Sequence, residues 1–198
     1  MAYESFTLSQ VETQFELTLT QTRDAYAQIA PIAPSKWLKQ SLRFQSPLVV
    51  GRTSDKRRSE FLVAPILVEM REIKDETVAL FSGVKFDVDK KAGLHGYCDF
   101  LMSRDALLNA IKAPALFVTG AKKEDLNAGV PQCIAEMVAA QRFNDAEGKP
   151  IETVYGAVTD GTRRRFLSQR EKIVGIDLRE YGIAELPQIL GILVHMVS

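Results

Sequence analysis

The pattern of apolar and polar positions is most regular in the segment 54–73. A broad apolar band runs from Phe61 to Met70, and Ser54 precedes it as a candidate N-cap, so the pattern predicts one long helix. Pro65 lies inside this helix and should kink it, because proline removes the hydrogen bond to the carbonyl of Phe61.

Stretches rich in β-branched and aromatic residues follow this helix and predict strands. They cover residues 77–89, 94–103, 113–122 and 151–169. A turn at residues 89–93 joins the first two, and Asp160 with Gly161 forms a hairpin turn inside the last stretch. An alanine-rich helix over 125–144 separates the strands, and a mostly apolar helix begins near residue 183. This order predicts an α/β fold in which helices flank a mixed sheet.

Residues 1–34 differ from the rest because they are rich in Thr and Gln and end in IAPIAP. Val11 and Phe15 share one helical face there, which predicts a short helix followed by a loose connection. Ser35 is placed to cap a second helix, which carries the only tryptophan. We therefore expect an N-terminal helical extension over 1–34 and one folded domain over 35–198.

The composition of the 198 residues is that of an ordinary globular protein, with 46% hydrophobic and 25% charged residues. Lys plus Arg and Asp plus Glu both number 25, so the formal net charge is zero. That balance argues against a protein whose whole surface binds polyanions, although it is compatible with a local basic patch. Cys98 and Cys133 cannot form a disulfide framework, and the sequence shows neither a leader pattern nor a membrane-length apolar run. We expect a cytoplasmic protein that has no contact with a membrane.

One carboxylate and one lysine on neighbouring predicted strands are candidates for chemistry. Strand alternation puts Tyr97, Asp99 and Leu101 on one face, and Gly120 and Lys122 on one face of the next strand. If these strands pair, Asp99 and Lys122 meet at the end of the sheet. Such a pair near a second carboxylate is suited to hydrolysis with a hard cation such as Mg²⁺, whereas a structural ion pair at a strand end is the alternative.

Six stretches follow one another in a characteristic order, and they are RRSEFLVAPILVEM, LFSGVKFDVD, GLHGYCDFLMS, PALFVTGAKKED, GVPQCIAEMVAAQRFN and VYGAVTDGTRRRFL. Together they resemble the PD-(D/E)XK nuclease superfamily, and most closely its uncharacterised bacterial, notably cyanobacterial, members. The resemblance covers roughly residues 35–198. It implies a restriction endonuclease-like three-layer sandwich with a mixed central sheet, and metal-dependent hydrolysis of DNA.

The resemblance also assigns roles to particular residues. It implies that the metal ion, Mg²⁺ or Mn²⁺, is bound at three positions, which are Asp99, Glu60 and Ala121. Lys122 would orient the attacking water, and Gln132 would support the substrate or the lysine from the following helix. Glu136 lies one turn beyond Gln132 and therefore falls on the same helical face.

The motif acid of the family is missing from this chain. The family expects an acidic residue, any residue and a lysine, whereas this chain has Gly120, Ala121 and Lys122. Glycine removes a full negative charge and at least one oxygen ligand, so we expect weak metal binding and an impaired nuclease. Glu124 or Asp125 could compensate, whereas Glu69 lies about half a helical revolution away from Glu60 and cannot share its site.

Two clusters of basic residues are candidates for nucleic-acid binding. They are Lys56, Arg57 and Arg58 before Glu60, and Arg163, Arg164 and Arg165 after the hairpin turn. On a strand, Arg163 and Arg165 share a face that Arg164 opposes. Both clusters fit either solvent-exposed charge or contact with phosphates.

Three functions stay open at this point. The first is a DNA nuclease impaired at Gly120, and the second is a catalytically inactive module of the same fold that binds nucleic acid or protein. The third is an oligomerising protein, suggested by the apolar ending LPQILGILVHMVS. A zinc site at His95, Cys98 and Asp99 is disfavoured, because a structural zinc site needs about four ligands.

Overall fold

A mixed β-sheet runs through the chain in the computed structural model, which describes residues 2–49, 54–104, 110–121 and 125–198. The helices are α1 (Leu8–Phe15), α2 (Lys36–Gln45), α3 (Asp55–Arg58), α4 (Ala64–Ile73), α5 (Leu126–Ala146) and α6 (Leu186–Met196). The strands are β1 (Thr18–Thr22), β2 (Ala79–Lys85), β3 (Tyr97–Ser103), β4 (Ala115–Ala121), β5 (Val154–Thr159), β6 (Arg163–Arg170), β7 (Ile173–Asp177) and β8 (Tyr181–Gly182).

The strands lie in the order β1-β7-β6-β5-β4-β3-β2, and the two-residue β8 pairs with β6. β1 pairs with β7 and β4 pairs with β5 in parallel, whereas the other neighbours in this order are antiparallel. The mixed sheet confirms the predicted α/β class. The predicted turns also hold, since Asp89 bridges to Leu94 and Gly161 takes a φ of 90° between β5 and β6.

Helices cover both faces of this sheet. On one face, α1 and α5 form a core with side chains that include Phe15, Leu101 and Met137. On the other face, α2, α4 and α6 form a second core with side chains that include Leu38 and Phe166. Two packed interfaces of this kind fix the strand ends, and with them the candidate site, relative to the helices.

The N-terminal residues join the same sheet and core. Where the sequence predicted a loose connection, β1 pairs in parallel with β7, from Thr18 opposite Ile173 to Thr22 opposite Asp177. The buried Tyr3 donates a hydrogen bond of 2.7 Å from its hydroxyl to the carbonyl of Phe86. The predicted extension therefore adds an edge strand to the main sheet and a helix to the core on one face of it.

A π-helical turn, Ser59–Val63, separates α3 from α4. The N–H of Ala64 donates to the carbonyl of Ser59, five residues earlier, and Pro65 stands in the first turn of α4. The predicted interruption at Pro65 therefore takes the form of a π turn that carries Glu60. The predicted cap is confirmed as well, because Ser54 accepts a 3.2 Å hydrogen bond from the N–H of Arg57.

The buried carboxylate of Glu69 anchors the start of α2. It accepts hydrogen bonds from the N–H and the hydroxyl of Ser35, at 2.6 and 2.7 Å. The same hydroxyl accepts from the N–H of Leu38 at 3.1 Å, which confirms Ser35 as the helix cap. Glu69 is thereby committed to α2, in agreement with the expectation that it does not share a site with Glu60.

Within the described ranges, no helix is both long and apolar enough to cross a membrane.

The carboxylate of Asp160 organises the hairpin turn between β5 and β6. It accepts from the N–H and hydroxyl of Thr162 at 2.8 and 2.7 Å, and from the N–H of Arg163 at 2.7 Å. The Arg163 guanidinium adds an ion pair at 2.9 Å. Burial raises the pKa of Asp160, but these hydrogen bonds outweigh it and hold the pKa below the usual 3.8.

We expect Asp160→Asn to lower the free energy of unfolding by about 1–3 kcal/mol near neutral pH, because a charged acceptor is lost. The pKa of Asp160 is lowered in the folded state, so the ionised group stabilises the fold above its unfolded pKa of about 4. This contribution is lost as the pH falls through the lowered pKa. Urea unfolding at neutral and acidic pH should therefore show a gap between the two proteins that closes in acid.

The exposed Asp145, near the end of α5, supplies a matched control. Asp145→Asn removes the same charge and should change the free energy of unfolding by less than about 0.5 kcal/mol. An equal loss in both variants, or a gap that persists in acid, would contradict the role assigned to Asp160.

Candidate functional site

Asp99 and Gly120 lie where the pairing of β3 with β4 ends. The antiparallel register runs from Ser103 opposite Ala115 to Phe100 opposite Thr119, and Asp99 and Gly120 come one residue further along each strand. β4 continues beside β5, where Gly120 lies opposite Val158. The strands that were expected to be neighbours are therefore neighbours.

A cleft of about 280 Å³ opens beside this point, and we call it the Glu60 cleft. Its lining residues are Lys56, Ser59, Glu60, Ala64, Ser82, Gly83, Asp99 and Phe100. The π turn places Glu60 on one side of the cleft, and β3 places Asp99 on the other. The two carboxylates that the resemblance assigned to one site thus share one cleft.

Lys56 sets the charge at the rim of the Glu60 cleft. Its ammonium lies 3.9 Å from the Glu60 carboxylate, and both side chains are more than half exposed. The pair is one helical turn apart and well solvated, so the attraction is weak and leaves both groups accessible to solutes.

The regular alternation of β3 is interrupted at Asp99. Cys98 and Leu101 both pack into the core beneath α5 although they are three positions apart, whereas Phe100 packs into the other core and lines the Glu60 cleft with Asp99. The pairing of β2 with β3 also skips the position of Asp99, between Phe100 opposite Ser82 and Cys98 opposite Val84. The interruption coincides with Gly83 of the adjacent strand, whose φ of 58° is incompatible with a regular pleat. Tyr97, which was expected on the same face as Asp99, is 64% exposed.

Gln132 and Glu136 are buried residues of α5, and neither is among the lining residues of the Glu60 cleft. The side-chain amide of Gln132 donates to a Glu136 carboxylate oxygen at 2.8 Å, which confirms that they share a helical face. Burial, followed by the charges of Glu136 and Asp99, raises the pKa of the Cys98 thiol. Cys98 is buried in the core beneath α5, so it is a core side chain near these two carboxylates.

The structure describes only some of the predicted site residues at the end of β4. Lys122 and Glu124 lie outside the described ranges, and Gly120 and Ala121 are described by their backbone alone. Asp125, one of the two candidates to replace the motif acid, caps α5 by accepting a 2.9 Å hydrogen bond from the N–H of Asn127.

The basic cluster on β6 is engaged within the molecule. Arg163 pairs with Glu180 at 3.0 Å in addition to Asp160, and Arg165 pairs with Glu180 at 3.0 Å. Arg164 lies on the other face, as alternation predicted, and burial lowers its pKa to about 10. Contact of Arg163 or Arg165 with phosphate stays a prediction.

The cluster on α3 is more accessible. Lys56 and Arg57 are exposed, and half-buried Arg58 reaches the carbonyl of Asp160 at 3.4 Å. The role of the Asp160 turn in holding Arg58 was not predictable, because the two residues lie 102 positions apart.

The donor set of the Glu60 cleft decides which ion it could hold. No group of three or more His, Cys, Asp and Glu side chains suited to a metal is found among the described residues. Mg²⁺ is commonly bound through one or two carboxylates, with waters and substrate phosphate oxygens completing the shell. Asp99 and Glu60 fit that minimal set.

The chain matches no protein-family model and no curated protein sequence.

Proposed function

We propose that this chain is a PD-(D/E)XK-type phosphodiesterase with a restriction endonuclease-like fold, which acts on DNA and is impaired at Gly120. The observation that carries the proposal is the meeting of Asp99 and Glu60 in one cleft, at the end of the β3–β4 pairing where Gly120 stands. The resemblance of the six stretches supports it, because it assigns the metal to these same two carboxylates.

In this proposal, residues of the cleft and Lys122 would have separate roles. Asp99 and Glu60 hold a divalent ion, which when bound polarises the phosphate and lowers the pKa of water. Lys122, two residues beyond Gly120, orients the attacking water. Lys56 at the rim contributes positive charge toward the phosphate that carries the scissile bond.

The impairment follows from the side chain that is missing at position 120. A hard divalent ion held by two carboxylates keeps most of its waters and exchanges readily. Isothermal titration of the unmodified protein with Mn²⁺ should therefore show little heat. Gly120→Glu should produce a measurable binding isotherm, and adding Asp99→Ala to it should abolish that isotherm.

Gly182→Glu is the matched control, because it adds the same charge where the new Cβ meets nothing within 4 Å. It should leave the titration unchanged. Tight Mn²⁺ binding by the unmodified protein that Asp99→Ala removes would show that another acid replaces the one at position 120. The site would then be intact and the impairment wrong.

A catalytically inactive module that binds nucleic acid is the second candidate, and Gly120 itself favours it. The two functions differ in what Gly120→Glu restores. If the variant binds the ion and DNA but cuts nothing, the inactive module replaces the enzyme.

A further inference from the structure

Two aromatic side chains lie exposed on α2. Trp37 is 50% exposed and Phe44 is 67% exposed. They are seven residues apart, which at about 100° per residue puts them on the same side of the helix. Gln40 and Ser41, both polar, lie between them. The exposed rings are thus separate flat surfaces, unlike a continuous apolar stripe.

A row of cations runs along the neighbouring exposed side of α2, about 120° around the helix axis from the rings. Lys36, Lys39 and Arg43 are exposed and spaced by three and four residues, so they form one line along α2. The sequence has no Asp or Glu between residues 25 and 54. Within the described ranges, the ion pairs do not include any of these three cations. The row therefore presents positive charge that is not ion-paired within the described part of the chain, while Glu69 and Glu72 line a pocket with Trp37 on the side of α4.

The opposite face of α2 holds this surface in place. Leu38 and Leu42 are buried in the core shared with α4 and the π turn. Glu69 fixes the first turn through Ser35. Rings and cations are consequently presented on a rigid helix that packs against the segment carrying Glu60.

We propose that the α2 platform, defined by Lys36, Trp37, Lys39, Arg43 and Phe44, binds single-stranded nucleic acid. Bases stack on Trp37 and Phe44, and the phosphates of the same strand follow the three cations. This inference rests on the proposed function in taking nucleic acid as the partner, and it adds the form of the strand. A duplex keeps its bases paired inside and offers no face to the two rings, whereas a single strand does.

The chemistry of the platform favours this partner over two others. A membrane-binding helix needs one continuous apolar face, and Gln40 with Ser41 interrupt it here. A second copy of the chain would bring another row of three cations to the interface. A polyanion with flat apolar faces matches both rows at once.

Trp37 allows a direct test, because it is the only tryptophan in the chain. Titration with an oligothymidine of about 15 nucleotides, in EDTA to prevent cleavage, should quench its fluorescence. A duplex of the same length should bind with less quenching. Binding should weaken steeply between about 50 and about 200 mM salt.

Variants of the other platform residues sharpen the test. Phe44→Ala should weaken oligothymidine binding about tenfold while Trp37 still reports it. Lys39→Gln should reduce the slope of the logarithm of the binding constant against the logarithm of the salt concentration by about 1, which corresponds to one lost phosphate contact. The controls are Ile173→Ala, an exposed apolar residue of β7, and Lys112→Gln, in the loop beyond the far end of β3. Both should bind like the unmodified protein.

Several outcomes would overturn the platform. Oligothymidine binding without quenching, or unchanged binding by Phe44→Ala, would place the strand elsewhere. Quenching or a blue shift with phosphatidylserine vesicles but not with the oligonucleotide would identify a membrane. A dimer that Phe44→Ala dissociates, in the absence of oligonucleotide binding, would identify a second copy. Because EDTA separates binding from cleavage, an inert Gly120→Glu with intact quenching would overturn the nuclease alone.

Discussion

Gly120→Glu should raise Mg²⁺- or Mn²⁺-dependent cleavage of DNA by about 100-fold or more over the unmodified chain. Gly120 stands one residue beyond the last β3–β4 pair, as Asp99 does, so a carboxylate there joins the strand ends that border the Glu60 cleft. Its negative charge also favours the ammonium form of Lys122. Nicking of supercoiled plasmid, together with cutting of single-stranded and flap substrates, measures the gain at low salt.

The gain should disappear in the double variant Gly120→Glu/Lys122→Ala, since a bound metal without an oriented water supplies only part of the transition-state stabilisation. Gly182→Glu, the added charge at an unobstructed position, should cut no faster than the unmodified protein. If the unmodified protein already cleaves DNA and Lys122→Ala does not slow it, the assignment of the site is wrong. Low salt is needed because a protein of zero net charge holds DNA through few phosphate contacts.

Gly191→Ala should lower the free energy of unfolding by about 2–3 kcal/mol. Gly191 lies in α6, where a Cβ would meet the carbonyl oxygen of Ala30 at 2.2 Å and the Cα of Pro31 at 3.3 Å. These are backbone atoms, so the segment at Ala30 has to move to relieve the clash. The gain in helix propensity, about 1 kcal/mol, offsets only part of that cost. Urea unfolding measures the difference.

Gly182→Ala is the control for this variant, because its Cβ has nothing within 4 Å and its φ of −77° suits any residue. It should stay within about 0.5 kcal/mol of the unmodified protein. A Gly191→Ala protein as stable as this control would mean that α6 and the segment at Ala30 do not pack as closely as described.

The elements that the sequence predicted well are those fixed by local chemistry. Ser35 and Ser54 cap helices because each hydroxyl accepts a hydrogen bond from the N–H three residues later, and this contact can be predicted from the local sequence. Asp160 and Gly161 specify their hairpin in the same way, through an Asx-type hydrogen bond and a positive φ. The meeting of Glu60 with Asp99 was inferred from the order of elements together with the resemblance.

The features that escaped prediction depend on partners far along the chain. β1 has the polar sequence TLTQT, and only its pairing with β7 makes it a strand. The alternation of β3 breaks at Asp99, opposite Gly83, whose positive φ leaves no mark in a hydrophobic pattern. Arg165 looks like a free cation in sequence, yet Glu180, on a loop 15 positions away, pairs with it.

The parallel pairing of β1 with β7 has a consequence for biosynthesis. Thr20 donates its hydroxyl to the carbonyl of Val174, 154 positions later. At translation rates of about 5–20 residues per second, roughly 8–30 s separate the synthesis of the two strands. Throughout that interval β1 lacks its partner strand. The apolar side chains of Val11 and Phe15 also lack their packing partners until α5 has been synthesised. β1 therefore enters the sheet only after most of the other strands of this sheet have been synthesised, and this nascent segment is where a holding chaperone would act.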